Sequence, residues 1–331
     1  MPGHRDERGW PMAQLTDVAR MAGVSTSTAS RALARPEMVA ELTRNRVLEA
    51  AAKLNFEHNR AARALITGRT GLIGLILPTL TNPYYGPLVL GAQRAAEEID
   101  CNLLVAVSER SLDREKRLVM RLANQVDGFV MVADGPDREV RRLAGVRPVV
   151  LLERQVPGLP AVVVDTPSGL VALAEHLVAG GHRRIAYVSG PGDTWGNQKR
   201  TEAITSYLRS AGVPLTLLPP HPPTFDAGIA AADRIPPGTT AVIAYNSSLT
   251  LGVLHRFTTK GVRVPGDVAL ASADDLALLG ATTPSITALD LPVAEAGHAA
   301  VARLHKLLNG TRAPRLTTLP ANLVIRESTR T

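Results

Sequence analysis

From Arg69 to the C-terminus, short apolar runs alternate with amphipathic stretches, and this alternation limits the fold more than any other feature of the chain. The runs "GLIGLILP", "NLLVAVS", "GFVMVA", "PVVLLE", "RIAYVSG", "AVIAYN" and "DVALASA" are almost wholly aliphatic. Between them lie helical patterns such as "LVLGAQRAAEEI", "REKRLVMRLANQ", "VALAEHLVAGG", "TEAITSYLRSAG" and "LGVLHRFTTKG". Strands that are apolar on both faces must be covered on both faces, which calls for parallel sheets wrapped by helices. Roughly ten strands fall in about 260 residues, so two doubly wound lobes are expected in place of one sheet. The expected fold is an N-terminal all-α headpiece and hinge joined to an α/β core of two such lobes over residues 69–331.

The chain before Arg69 has a different character. Residues 1–12 are polar and read as a disordered leader, with Met12 an alternative start. Residues 13–58 read as three short helices. Leu15, Val18, Ala19 and Ala22 fall at helical spacing, and Ala29, Ala32 and Leu33 share a face of a second helix from about Ser25 to Leu33. A third spans about Leu42 to Leu54, with Val47, Leu48, Ala51 and Leu54 expected inward. So few large side chains make a small core, marginal alone. Residues 59–68 are short, basic and Ala-rich; Asn59 can cap a helix and Gly68 can end one. A helix of that length is mostly unfolded in water unless something holds it.

Apolar residues make up 45% of the 331-residue chain, enough for sizeable cores. Of the formal net charge of +7, a disproportionate share lies at the front. Residues 1–69 hold 11 Arg and Lys against 7 Asp and Glu, while the remaining 262 hold 26 against 23. A basic N-terminal segment is compatible with a nucleic-acid footprint. Cys101 is the one cysteine, expected as a small buried residue, so no disulfide or cysteine-based metal site is built within the chain. No apolar signal core or membrane-spanning run occurs, which predicts a soluble, cytoplasmic protein.

The stretch "LTDVARMAGVSTSTASRAL", Leu15 to Leu33, carries the first chemistry. Ala22-Gly23-Val24 supplies a tight corner between two helices. Ser25 opens the second helix and can cap it. Thr26, Ser27 and Ser30, with Arg31, leave a face of short polar groups, while Thr28 points mostly inward. Small side chains allow close approach to a major groove, and their donors suit phosphates and base edges. The same composition also occurs on a capped surface helix of no special role.

Together with "RPEMVAELTRNRVLEAAAKLNFEHNRAARALITGRTGLIGLILP", "TNPYYGPLVLGAQRAAEE", "HLVAGGHRRIAYVSGP" and "GVRVPGDVALASADD", this stretch resembles the lactose-repressor/galactose-repressor family of bacterial regulators over nearly the whole chain after residue 12. The resemblance implies a ligand-responsive repressor that binds a pseudo-palindromic operator in double-stranded DNA as a homodimer. It implies that Thr26, Ser27 and Arg31 face base edges and that Ser25, Thr28 and Ser30 face the backbone. Asn59 to Leu65 would be a hinge helix formed on DNA. Leu65 would be a minor-groove wedge, in keeping with the way apolar wedges unstack a base step and bend the duplex. Arg60 and Arg63 would neutralise phosphates.

The core resembles periplasmic sugar-binding proteins, which hold a ligand between two lobes. Ligands in such sheets sit at the carboxyl ends of strands. Tyr84, Tyr85, Glu153 and Asp165 stand at such ends in the first half of the core; Trp195, Arg200, Asn246 and Asp274 do so in the second. Arg, Asn and carboxylates together match a polyhydroxylated or anionic small-molecule effector, with no cofactor or metal. Some positions depart from the family pattern. Ser247 stands where Asp is usual, Ala273 replaces a large aromatic, and the helix after Arg200 reads "TEAI" without the usual Gly. Ala40 replaces a usual Ser cap, Ala34 a common polar residue, and His58 the Pro before the hinge. The effector pocket is therefore expected to be reshaped.

Two other classes share the core pattern. A solute-binding protein would need export and has no use for residues 15–65. An α/β enzyme would need a catalytic motif. The glycines of "GPGDTWG", at 190, 192 and 196, miss dinucleotide-loop spacing by one. His182, His255, His298 and His305 are scattered along the chain. The C-terminus lacks heptads, so a coiled-coil tetramer is not expected.

Overall fold

The computed structural model describes residues 13–34, 38–54, 56, 69–274, 277–311 and 314–330. The chain forms two compact units, residues 1–71 and residues 72–331. The leader and the hinge positions Asn59, Arg60, Arg63 and Leu65 lie outside the described residues.

The first unit contains α1 (Leu15–Ala22), α2 (Thr26–Ala34) and α3 (Glu41–Lys53). Asp17 accepts the backbone N–H of Gln14 at 2.9 Å and so closes the first turn of α1. Gly23 ends α1 at φ +64°, a left-handed value that costs glycine nothing. Val18, Ala19, Ala22, Ala29, Ala32, Val47 and Ala50 form the core. Leu48 is 48% exposed, against the inward placement expected from its spacing. It lies about 100° around the helix from Val47, and Ala50 completes the inner stripe. Ala40 precedes α3 without any side-chain cap.

The second unit holds two six-stranded sheets. Lobe 1 begins with β1 (Leu72–Leu77), α4 (Tyr85–Glu98), β2 (Asn102–Val107), α5 (Leu112–Leu122), β3 (Gly128–Met131), α6 (Asp137–Ala144), β4 (Val149–Leu152) and β5 (Ala161–Asp165). The chain then crosses into lobe 2. There it forms α7 (Thr166–Ala179), β6 (Ile185–Val188), α8 (Trp195–Ser210), β7 (Leu215–Leu217), α9 (Phe225–Ala232), β8 (Ala241–Ala244) and α10 (Ser247–Thr259). Next come β9 (Ala269–Ser272), the short α11 (Ala277–Gly280) and β10 (Thr287–Asp290). It returns to lobe 1 for α12 (Val293–Leu308) and β11 (Leu316–Pro320), then crosses a third time to place β12 (Asn322–Val324) in lobe 2.

Sheet order is β11-β5-β4-β3-β1-β2 in lobe 1 and β12-β10-β9-β8-β6-β7 in lobe 2. Both are parallel except at β12, which runs antiparallel to β10 with Leu289 opposite Leu323. Among the described residues twelve strands replace the ten or so expected, because three-residue edge strands such as β7 and β12 have no periodicity to read. Ile73, Leu75, Ile76 and Leu77 in β1 are fully buried, as a strand covered on both faces requires. On one face of lobe 1, α4 and α12 cross at Gly91 and Gly297. A Cβ on Gly91 would overlap the Ala294 carbonyl, and one on Gly297 the Leu88 carbonyl. In lobe 2, α9 and α10 cross the same way at Gly228 and Gly252.

Candidate DNA-reading helix and effector cleft

On α2 the small apolar residues face inward and the hydroxyl residues outward. Ala29 and Ala32 anchor it against Val18 and Val47. Ser25 precedes the helix, and its Oγ accepts the Thr28 backbone N–H at 3.2 Å. Ser25 Oγ also pairs with the hydroxyls of Ser27 and Thr28, both at 2.9 Å. Ser25, Thr26, Ser27 and Arg31 are exposed together, while Thr28 and Ser30 are half-buried. Arg31 donates from Nε to the Ser27 carbonyl, 3.2 Å away, which lays its guanidinium along the helix surface. The result is one exposed polar face carrying a single cation.

In the second unit a cleft gathers side chains from the carboxyl ends of both sheets. Lobe 1 contributes Tyr84 and Tyr85 from the start of α4, with ring centroids 5.4 Å apart and planes at 86°. Asn82 accepts the Tyr84 backbone N–H at 3.1 Å and sets this turn. Glu153 follows β4 at φ +54° and accepts the Val164 N–H at 3.2 Å. A non-glycine residue in the left-handed region is strained, and such strain concentrates at binding sites. Burial pushes the Glu153 carboxyl up, with the charge of Arg200 opposing. Burial likewise raises both phenols, so the tyrosines are neutral donors across the physiological range. The buried Tyr84 hydroxyl lies beside Glu153 without a well-formed hydrogen bond.

Lobe 2 contributes Trp195 and Arg200 from the first turns of α8, with Asp274 after β9. The Arg200 guanidinium sits 4.7 Å from the centroid of the Tyr245 ring and donates to the Tyr245 carbonyl and the Thr166 hydroxyl at 3.4 Å each. Asp274 accepts the backbone N–H of Ser247 at 2.5 Å and also its hydroxyl.

Six of the eight residues expected at this site, Tyr84, Tyr85, Glu153, Trp195, Arg200 and Asp274, line the cleft. The other two are placed elsewhere. Asp165 caps α7 by accepting the Ser168 N–H at 3.2 Å, and Asn246 caps α10 by accepting the Leu249 N–H at 3.0 Å. Tyr245, one residue earlier, takes the lining position. Sequence reasoning missed Arg110, Asp134, Arg154 and Asp193, which also line the cleft. Arg154 donates to the Ala133 carbonyl at 3.1 Å and to Asp137 at 2.9 Å. Asp134 is raised by burial and by Asp193, against the pull of Arg110 and a hydrogen bond from Ser108. Beneath it, the fully buried Glu115 accepts the Asp134 N–H at 2.9 Å, and burial pushes its carboxyl up to about 7.

Residues 14–59 match the family described as bacterial regulatory proteins, lacI family, and residues 174–329 match the periplasmic binding protein-like domain. Over 304 residues the chain is 33% identical to the ribose operon repressor of Bacillus subtilis (strain 168), covering 90% of this chain and 91% of that one. The chain belongs to the LacI family. Catabolite control protein A of Streptococcus mutans is 32% identical over 88% of this chain and 90% of its own. Among solved structures, the lac repressor dimer bound to operator and the anti-inducer ONPF superposes with a TM-score of 0.85 at 26% identity, covering 97% of this chain and all of that one. The transcriptional regulator CelR–cellobiose complex gives 0.72 at 27% identity, covering 96% and 99%. This LacI-family chain is a ligand-responsive transcriptional repressor and not an enzyme. Among the described residues no helix is long and apolar enough to cross a membrane.

Proposed function

We propose that the protein acts in the cytoplasm as a homodimer on a pseudo-palindromic operator, and that a polyhydroxylated small molecule bound between the two lobes modulates that binding. Thr26, Ser27 and Arg31 read base edges, and Ser25, Thr28 and Ser30 hold the backbone. Arg60 and Arg63 neutralise phosphates, and Leu65 wedges the minor groove. The observation that carries the effector half is the division of the cleft. Glu153 belongs to lobe 1 and Arg200 to lobe 2, so a ligand that satisfies both holds the lobes in one relation. The carboxylate accepts hydroxyl protons, the guanidinium donates to oxygens, and Trp195 offers an apolar face. The ribose operon repressor and the CelR–cellobiose complex, both related to this chain, support a sugar-like effector.

A coupling of about 1–3 kcal/mol between cleft and DNA changes operator affinity roughly 5–150-fold. Selection of bound sequences from a random DNA pool tests the reading, followed by a metabolite screen against the selected site. An enriched palindrome and a metabolite that shifts its affinity are expected. A pool without an enriched palindrome overturns the proposal.

A further inference from the structure

The cleft does not end at Tyr84 and Asp274. Both residues also line a second recess, walled by Pro87, Leu291, Pro292, Val293 and Ala294, with the exposed Glu295 beside them. Pro87 belongs to α4 in lobe 1, Leu291 directly follows β10 in lobe 2, and Val293 and Ala294 open α12. The recess therefore sits where the chain crosses from lobe 2 back to lobe 1. Its walls are fixed. Val293 donates its N–H to the Leu291 carbonyl at 2.7 Å, and Pro292 between them has φ −75° and ψ 57°. This is an inverse γ-turn whose φ the proline ring locks. The Ala294 carbonyl packs against Gly91, one turn beyond Pro87 on α4. Tyr84 is met by the Tyr85 ring at 86°. Tyr84 is only 9% exposed, and its buried hydroxyl has no hydrogen-bond partner of good geometry. A donor thus stands unused on the residue that cleft and recess share, and a buried donor without an acceptor is costly.

From this continuity we propose that the effector is a polyol carrying a small apolar substituent, its hydroxyls in the cleft and its substituent in the recess. This rests on the reading of the cleft as the effector site. A bare polyol would satisfy the polar groups of the cleft and leave the apolar walls beyond Tyr84 wet. A substituent that covers them gains by removing apolar surface from water. The oxygen that joins the two parts of such a ligand falls at the boundary and gives the Tyr84 hydroxyl its acceptor. A second polyhydroxylated ring is a poorer occupant, because the Pro, Leu, Val and Ala side chains of the walls offer it no donor or acceptor. Since Pro87 and Leu291 stand in different lobes, a group packed between them ties the lobes at the crossing itself.

Isothermal titration of the full chain at pH 7 tests this with the phenyl and methyl β-glycosides of glucose, galactose, mannose and xylose. Each buried methylene is worth roughly fourfold in affinity, so at least one phenyl glycoside is expected to bind about tenfold or more tightly than its methyl counterpart. Ala294→Leu and Pro87→Leu fill the recess from α12 and from α4, and neither residue lines the cleft itself. Each should erase the phenyl advantage while methyl glycoside binding and a cooperative melting transition are kept; should one variant not melt cooperatively, the other carries the comparison. If no phenyl glycoside exceeds its methyl counterpart, including the case in which none binds, the proposal is overturned. It is also overturned if the advantage survives the filling substitutions, or if it survives them and falls with Trp195→Ala, which would put the apolar group at the other end of the cleft. A sugar that binds and shifts operator affinity with no phenyl advantage removes the recess and leaves the regulator reading standing. Failure to select an operator would count against the regulator reading alone.

Discussion

Ser247 donates both its backbone N–H and its hydroxyl to the same carboxylate oxygen of Asp274. The two residues lie on different elements, Ser247 opening α10 and Asp274 following β9. Both are buried. At this position the family commonly carries Asp, whose carboxylate would repel Asp274. Here Ser holds it. Ser247→Ala keeps the backbone donor and removes the hydroxyl. Hydrogen bonds to charged groups are worth about 1.5–3 kcal/mol, so a loss of that order is expected in urea unfolding. An unchanged midpoint would show that the hydroxyl contributes nothing there.

The α4–α12 crossing predicts a contrast between two glycines. Gly297→Ala drives a methyl against the Leu88 carbonyl, which belongs to a helix and cannot move alone. Overpacking of this kind costs about 1–3 kcal/mol. Gly86 lies on the same helix as Leu88, and a Cβ there meets nothing within 4 Å. Gly86→Ala should be neutral or stabilise by up to about 1 kcal/mol through helix propensity. Thermal melts of the two variants should move in opposite directions or differ by several degrees.

Glu115 predicts a pH dependence of stability. Its carboxyl is pushed up to about 7 by burial, above the unfolded value of about 4.3. The folded state thus binds a proton over that window that the unfolded state has released. Stability from this group is full below about pH 4.3 and falls as pH rises through 7, by on the order of 3 kcal/mol. Glu115→Gln keeps a carbonyl for the Asp134 N–H and has no charge to bury. The variant should gain stability at pH 8 and lose the slope between pH 4.5 and 7. Identical pH profiles for both proteins would dismiss this account.

On DNA, Arg31→Ala and Leu65→Ala should fail differently. Arg31 is the single cation on the exposed face of α2. Its removal should cost about 1–3 kcal/mol on the selected operator and relax preference at one base pair per half-site. Leu65→Ala should lower specific affinity while leaving the salt-dependent, non-specific binding largely in place. Fluorescence titrations at two salt concentrations, on operator and on scrambled DNA, separate the two outcomes.

The two-lobed core could be read from the alternation of apolar and amphipathic segments because each central strand is covered on both faces and carries no polar interruption. The edge strands β7 and β12 escaped that reading, being "LTL" and "NLV", too short to show a period. In the cleft, the rule that ligands meet strand ends found Glu153 and Asp274, which directly follow β4 and β9 or nearly so. The same rule over-reached at Asp165 and Asn246, whose side chains turn back to cap the next helix. Both stand directly before a helix start, and that signal favours capping. Asp134 follows "GFVMVA" and was within reach of the same argument. Arg110 was not. It enters the cleft from a turn in which Glu109 and Arg110 both adopt left-handed backbone, at φ +53° and +58°, and neither residue type advertises such a turn.

The three crossings between lobes also fix an order of completion during synthesis. Lobe 1 contains the first strand of the core and also β11, which ends at Pro320, with α12 filling its Gly91 crossing. Lobe 2 is threaded between these parts. The three helices of the first unit are finished by Lys53, while the cleft of the second unit waits for almost the last residues to leave the ribosome. A nascent or prematurely ended chain would therefore carry the finished helices of the first unit without a finished cleft in the second. Quality control that removes such fragments would protect regulation as well as solubility.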